Sequence, residues 1–340
     1  MMFQPEPSYS YQDIGLVPLN KSTIESRDDV QTHISFLGAD LKFPLLSAPM
    51  ESAIGLNMVR ALEKIGCISV LSRVDDPIEN AKVYVRSWGK EVIPSIPARS
   101  GIEWWNHILY YLGNNLPKPF AVCIDTANGF HIATEDTVTR LKELFPDIKI
   151  IAGNIGSITG YIFMKELGVD AVRVGIGNGS VCTTSMATGI GIGQASLVRE
   201  IWQYKEEFGG PLIIADGGIQ SAGDIAKAIA LGADVVMVGK LLAGCEESPG
   251  TVIKYRDKLY KQHAGQASFA IKRSKEYIEG DDTLVPYIGT VAELFAKLND
   301  GLRSAMSYMN AENLNELRGL PDETFRLLIG AASKERQVHA

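Results

Sequence analysis

The chain has 340 residues, 46% of them hydrophobic, and a formal charge of −7 at pH 7. Its mean hydropathy is +0.04 and its sequence pI is near 5.4. That balance predicts a globular chain with a sizeable core and argues against nucleic acid or an anionic membrane surface as partner, while leaving room for a local pocket that takes one phosphate.

In chain order, the N-terminal MMFQPEPSYSYQD has no charged region followed by an apolar one, so no secretory signal is expected. No run is apolar for long enough to span a bilayer. Residues 1–40 are mixed and polar and read as an arm over a core that starts later. From about residue 41, short apolar runs alternate with amphipathic stretches. The runs are 43–48, 67–71, 91–96, 120–125, 148–152, 171–175, 212–215 and 235–238, eight in all. Near-continuous β-branched runs suit strands buried on both faces, as in a parallel sheet. Between them, Met58, Leu62 and Ile65 share one helical face, and Val138, Leu141 and Leu144 share another. The alanine-rich stretch 222–231 follows Ser221, a suitable N-cap. Eight strand–helix units predict an α/β fold, a single (β/α)8 TIM barrel spanning 1–340. A doubly wound open sheet is the alternative. The count of eight, and the polar, glycine-rich loop after each strand, favour the barrel.

After the eighth run the pattern breaks. Residues 246–289 are charged and show no clear buried element. A long excursion at the active-site end of a barrel is expected to serve as a flap. Residues 291–309 are amphipathic and should close the barrel, and 311–340 read as a C-terminal tail. The four cysteines, Cys67, Cys123, Cys182 and Cys245, are far apart with no CxxC spacing. Neither a zinc site nor a disulfide framework is expected, and reduced thiols in a cytoplasm are.

In such a barrel the active site lies at the C-terminal ends of the strands. That gathers Ser47, Met50, Arg73, Asp125, Asn128, Asn154, Cys182, Thr184, Asp216, Gly217, Gly218, Gly239 and Lys240 around one mouth. Asp216-Gly217-Gly218 follows the seventh strand and Gly239-Lys240 the eighth, where phosphate-binding barrels form a cradle of backbone N–H groups. The plainer reading of these glycines is tight turns. Cys182 ends a loop with three glycines in five positions (Gly175, Gly177, Gly179) and is followed by two threonines. Free N–H groups in such a loop favour a thiolate, which attacks electron-poor carbon. Thr184 could relay a proton, although a local backbone hydrogen bond is the commoner role of a threonine. Asp125 at a strand end is a further candidate. Glu279, by spacing alone, is one acid among many, and Trp104-Trp105 reads as helix packing.

These motifs resemble the inosine monophosphate dehydrogenase / guanosine monophosphate reductase family. The resemblance covers nearly the whole chain. It rests on Ser47-Ala48-Pro49-Met50, Asp125-Thr126-Ala127-Asn128-Gly129, Ala152-Gly153-Asn154-Ile155, Gly179-Ser180-Val181-Cys182-Thr183-Thr184, Ala215-Asp216-Gly217-Gly218-Ile219 and Glu279-Gly280. It implies that Cys182 attacks C2 of a purine nucleotide monophosphate to form a thioimidate, with Thr184 and Glu279 as catalytic partners. It implies ribose, phosphate and base contacts from Ser47, Met50, Ser180, Asp216, Gly217, Gly218, Gly239, Lys240, Gly265, Gln266, Ala267 and Gly280. Arg73, Asp125, Thr126, Ala127 and Asn128 would lie along NADPH or NADH. The carbonyls of Gly177, Gly179 and Cys182 would hold K⁺, and members are typically homotetramers.

Two features separate the branches of the family. The dehydrogenases usually insert a CBS-domain pair after strand two, where here only 75–90 intervenes. A dehydrogenase also uses an Arg-Tyr pair in the flap to activate water, and 265–279 has no adjacent Arg-Tyr. The expected activity is therefore NADPH-dependent reductive deamination of GMP to IMP. The alternatives are IMP oxidation to XMP by NAD⁺ and a divergent member acting on another purine nucleotide. Gln266, Lys240, Arg73 and Ser185 depart from the family's usual Met, small residue, Lys and Arg.

Overall fold

The apolar runs form short parallel strands whose side chains point alternately to two buried clusters. The computed structural model describes residues 6–89, 91–114, 116–178, 184–264 and 282–328. Strand β1 is Ile14–Leu16, and β2 (Ile34–Phe36) and β3 (Ala39–Leu41) form a hairpin. Then come β4 (Leu45–Ser47), β5 (Ser69–Val70), β6 (Val92–Ile93), β7 (Ser95–Ile96), β8 (Ala121–Asp125), β9 (Lys149–Ile155), β10 (Ala171–Val174), β11 (Leu212–Asp216) and β12 (Val235–Val238). Seven of them make one parallel sheet in the order β4-β12-β11-β10-β9-β8-β7. The first strand of this sheet along the chain, β4, thus pairs with the last, β12. From β4 a parallel bridge joins Leu46 to Ile68, and β5 pairs with β6. The run predicted over 91–96 is split at Pro94, which has no N–H to give a ladder.

The two-sided burial is explicit. Val122, Ile124, Ile150, Val236 and Val238 face the outer cluster under the helices. Ala121, Cys123, Ile151, Val235 and Met237 face an inner one, which Phe36 and Leu41 of the β2–β3 hairpin join. Burying one Val or Ile contributes about 1.5–3 kcal/mol, while an exposed pair such as Arg60–Glu63 contributes about 1 kcal/mol at most. Apolar burial therefore sets the architecture. The helices start and stop where the sequence directs. The Asp76 carboxylate caps α2 (Pro77–Ser87), and Ser221 caps α8 (Ala222–Leu231), which ends at Gly232 with φ +119°.

Two segments differ from their appearance in the sequence. The N-terminal residues pack into the core: Tyr11 is fully buried, and β1 pairs antiparallel with β16 (Phe325–Leu327) near the C-terminus. The charged excursion contains a three-stranded antiparallel sheet of β13 (Val252–Tyr255), β14 (Lys258–Ala264) and β15 (Asp282–Pro286). Strand alternation turns Lys261 and His263 inward, 2% and 1% exposed. Lys261 Nζ donates to the carbonyls of Cys245 (2.9 Å), Glu246 (2.9 Å) and Ser248 (2.7 Å), and burial pushes its pKa below the usual lysine value. This ammonium pins the root of the sheet to the chain leaving β12. Lys261→Met should cost roughly 2–4 kcal/mol by stranding those carbonyls, and it should speed limited proteolysis within 246–264 before it affects the rest of the chain.

Candidate active site

The C-terminal ends of β8, β9, β10 and β11 meet around one buried cation. Arg173, on β10, is 6% exposed. Its Nε and Nη2 donate to Asp216 Oδ2 at 3.0 and 2.9 Å, and its Nη1 donates to Asp125 Oδ1. Burial opposes the charge, but Asp216 and Asp125 outweigh it and hold the guanidinium above its ordinary value. Asn154, from β9, donates through Nδ2 to the same Asp216 oxygen (2.8 Å) and to the Gly175 carbonyl (2.9 Å). Asp125 also lies 3.8 Å from Arg73 Nε, and the Arg73 guanidinium sits 5.8 Å over the Trp104 ring. Two carboxylates are thus fixed in direction, one on each side of Arg173.

Glutamine 194 links the next layer. It opens α7 (Gln194–Phe208) and is 1% exposed. Its Nε2 donates to the carbonyls of Val174 (2.6 Å) and Asp216 (3.3 Å), and its Oε1 accepts from Asn178 Nδ2. The loop after β10 is thereby tied to the end of β11. Gly217 and Gly218 then turn with φ +99° and +78°, a region that favours glycine. A Cβ on Gly217 would stand 3.2 Å from the Asn178 backbone, so the two loops touch.

The other predicted residues are placed as follows. Gly239 precedes the short helix α9 (Lys240–Ala243), and a Cβ there would lie 2.7 Å from Met50 Sδ. Met50 and Gly239 therefore share one corner of the mouth. Lys240 is exposed. Ser47 is fully buried, with its hydroxyl donating to the Val70 carbonyl (3.0 Å) and accepting from the Val70 N–H (2.9 Å), so it joins β4 to β5. Thr126 is half-buried, with its N–H on the Gly153 carbonyl and its carbonyl accepting from Asn154 N–H, while Ala127 and Asn128 are exposed. The Asn128 side chain accepts from Phe130 N–H at 3.2 Å. Gly177 adopts φ +79°, and Thr184 begins a short helix, α6 (Thr184–Thr188). Gly179, Ser180, Cys182, Gly265, Gln266, Ala267, Glu279 and Gly280 lie outside the described residues.

Sequence reading missed Arg173 and Gln194. Arg173 carries a usable signal in retrospect: a lone charge inside the run Ala171-Val172-Arg173-Val174 must be paired if the strand is buried. Gln194 carries none.

A family profile described as "IMP dehydrogenase / GMP reductase domain" matches residues 120–339. The chain belongs to the IMP dehydrogenase / GMP reductase family. Its curated relatives of that family are similar over almost their whole length. A GMP reductase of Lactobacillus delbrueckii subsp. bulgaricus is 34% identical over 313 residues, 92% of this chain and 93% of the relative. A GMP reductase of Bacillus subtilis is 34% identical over 316 residues, covering 93% and 95%. A GMP reductase of Streptococcus pyogenes serotype M4 is 32% identical over 319 residues, covering 93% and 95%. The matched domain contains the Asp125–Arg173–Asp216 network, Gln194 and the thiol loop.

Proposed function

We propose that this enzyme reduces GMP: GMP + NADPH + 2H⁺ → IMP + NADP⁺ + NH₄⁺. The observation that carries the reading is the contact between the thiol-bearing loop and the Asp216-Gly217-Gly218 turn through Asn178 and Gln194, in a chain whose relatives are GMP reductases. The strand pairings support a closed (β/α)8 ring in which both loops face one mouth.

In this reading the Cys182 thiolate adds to C2 of the purine, forming an S–C2 bond as the bond to the amino nitrogen breaks. Thr184 and Glu279 carry the proton with which that nitrogen leaves as ammonia. NADPH supplies the hydride that C2 receives. The S–C2 bond then breaks and its electron pair returns to Cys182. Asp216 takes the ribose hydroxyls with the oxygen that Arg173 and Asn154 leave open, and Gly218 and Gly239 give N–H groups to the phosphate. Ser47, Met50, Ser180, Gly217, Lys240, Gly265, Gln266, Ala267 and Gly280 complete the nucleotide's surroundings. Arg73, Asp125, Thr126, Ala127 and Asn128 lie along the nicotinamide nucleotide; the exposed edge at 127–128 leaves room for it. Carbonyls of Gly177, Gly179 and Cys182 would hold K⁺, a donor set suited to a monovalent cation. We place the enzyme in the cytoplasm as a homotetramer.

The test is a purine-nucleotide panel with the purified chain. GMP with NADPH should consume the cofactor and release ammonia in equal amounts. IMP with NAD⁺ yielding XMP, and no ammonia from GMP, would assign it to the dehydrogenase branch instead.

A further inference from the structure

The excursion after β12 brings a buried imidazole to the same corner as Met50 and Gly239. His263 is 1% exposed, and its Nδ1 lies 2.8 Å from Ser52 Oγ. Ser52 is itself buried, on the turn that follows Met50. Strand β14, which carries His263, packs against α9, whose first residue is Lys240. Thus three segments meet: Met50–Ser52, Gly239–Lys240 and His263. Nothing in the reaction described above uses this residue.

We propose that His263, held by Ser52 on a strand that packs against the helix opening at Lys240, reads the charge of the nucleotide's 5′-phosphate by taking up a proton when a dianion is seated beside Gly239. The inference rests on the phosphate position given above. The physical argument is one of field. Without a ligand, burial and then the Lys240 ammonium depress the ring to about 4, so it is neutral at pH 7. A phosphate dianion next to Lys240 reverses the sign of that field and favours the imidazolium. Uptake makes binding tighter as pH falls. The gain is complete below the free ring's value and is lost as pH rises through the bound ring's value.

Among the described residues, few other charges bear on the ring. Lys261 shares its face of β14 but is engaged by the carbonyls of Cys245, Glu246 and Ser248. Glu246 and Glu247 act on Lys261, and Glu247 also accepts from Val291 N–H. Glu51 is the half-buried neighbour of Ser52. From β13 the nearest charge, Lys254, is exposed and pairs with Asp257. On β15 the rung opposite His263 is Thr283, and Asp282 stands one rung beyond.

The experiment is calorimetric titration of the full chain with GMP, guanosine and inorganic phosphate, in two buffers of different ionisation enthalpy, from pH 5.5 to 7.5. Wild type should take up roughly half to one proton more per GMP than His263→Gln or His263→Asn, and its affinity advantage over them should grow by up to about tenfold per pH unit toward acid. Guanosine should show no such difference. The ring's carbon and nitrogen chemical shifts in wild type provide a readout that needs no variant: GMP or phosphate should move them to the imidazolium values at pH 6, and guanosine should not. Equal proton counts in wild type and both variants, or imidazole shifts indifferent to phosphate, would overturn the proposal. If GMP does not bind but inorganic phosphate protonates the ring, the substrate assignment fails and the His263 inference stands.

Discussion

Replacing Cys182 with alanine should lower turnover of GMP with NADPH by roughly 10⁴-fold or more, while leaving GMP affinity within about threefold of wild type. A group that bonds to C2 only during the reaction contributes to kcat and not to ground-state binding, so the loss should fall on kcat. The other cysteines cannot substitute. Burial pushes the Cys123 thiol to about 11 and the Cys245 thiol to about 12, and it raises Cys67 as well. All three are buried and protonated at neutral pH. Iodoacetamide should therefore label wild type at one cysteine, GMP should slow that labelling, and Cys182→Ala should not label at all. Labelling of Cys182→Ala at the wild-type rate, or kcat within tenfold of wild type, would remove Cys182 from the reaction.

What the sequence discloses and what it conceals follow from the range of the interactions. The strand runs were legible because both faces of β8 and β12 are buried, so Val122, Cys123, Ile124 and Val235 to Val238 are apolar without a break. The turns were legible because Gly217 and Gly218 need positive φ, which composition reveals. The ion-pair network was not. Arg173 meets Asp125 and Asp216 only after folding, 48 and 43 residues away along the chain. The excursion misled for a different reason. Its charged sequence shows no clear buried element, whereas a strand of period two buries Lys261 and His263 and exposes Gln262 between them. Carbonyl groups from Cys245 to Ser248, which no side-chain pattern announces, receive the lysine.

Arg173→Met should be among the most destabilising single substitutions at the mouth, costing about 3–5 kcal/mol in urea unfolding. The methionine fills most of the volume, so the loss is electrostatic. Asp125 and Asp216, each with 13% of its side chain exposed, would face one another without the cation between them. Arg173→Lys separates charge from geometry. A single ammonium can offset the carboxylates, but it cannot make both the paired contact to Asp216 and the contact to Asp125 that the guanidinium makes with Nε, Nη1 and Nη2. Its stability should recover to within about 1–2 kcal/mol of wild type, while kcat for GMP with NADPH stays roughly 10–100-fold low because the Asp125 and Asp216 carboxylates are no longer fixed in direction. A double-mutant cycle completes the test. Arg173→Met combined with Asp216→Asn should be less destabilised than the sum of the two single changes, because the asparagine removes one of the charges the arginine was needed to balance. Strict additivity would mean that Arg173 acts through packing alone, and the mouth would then have to be explained without its central cation.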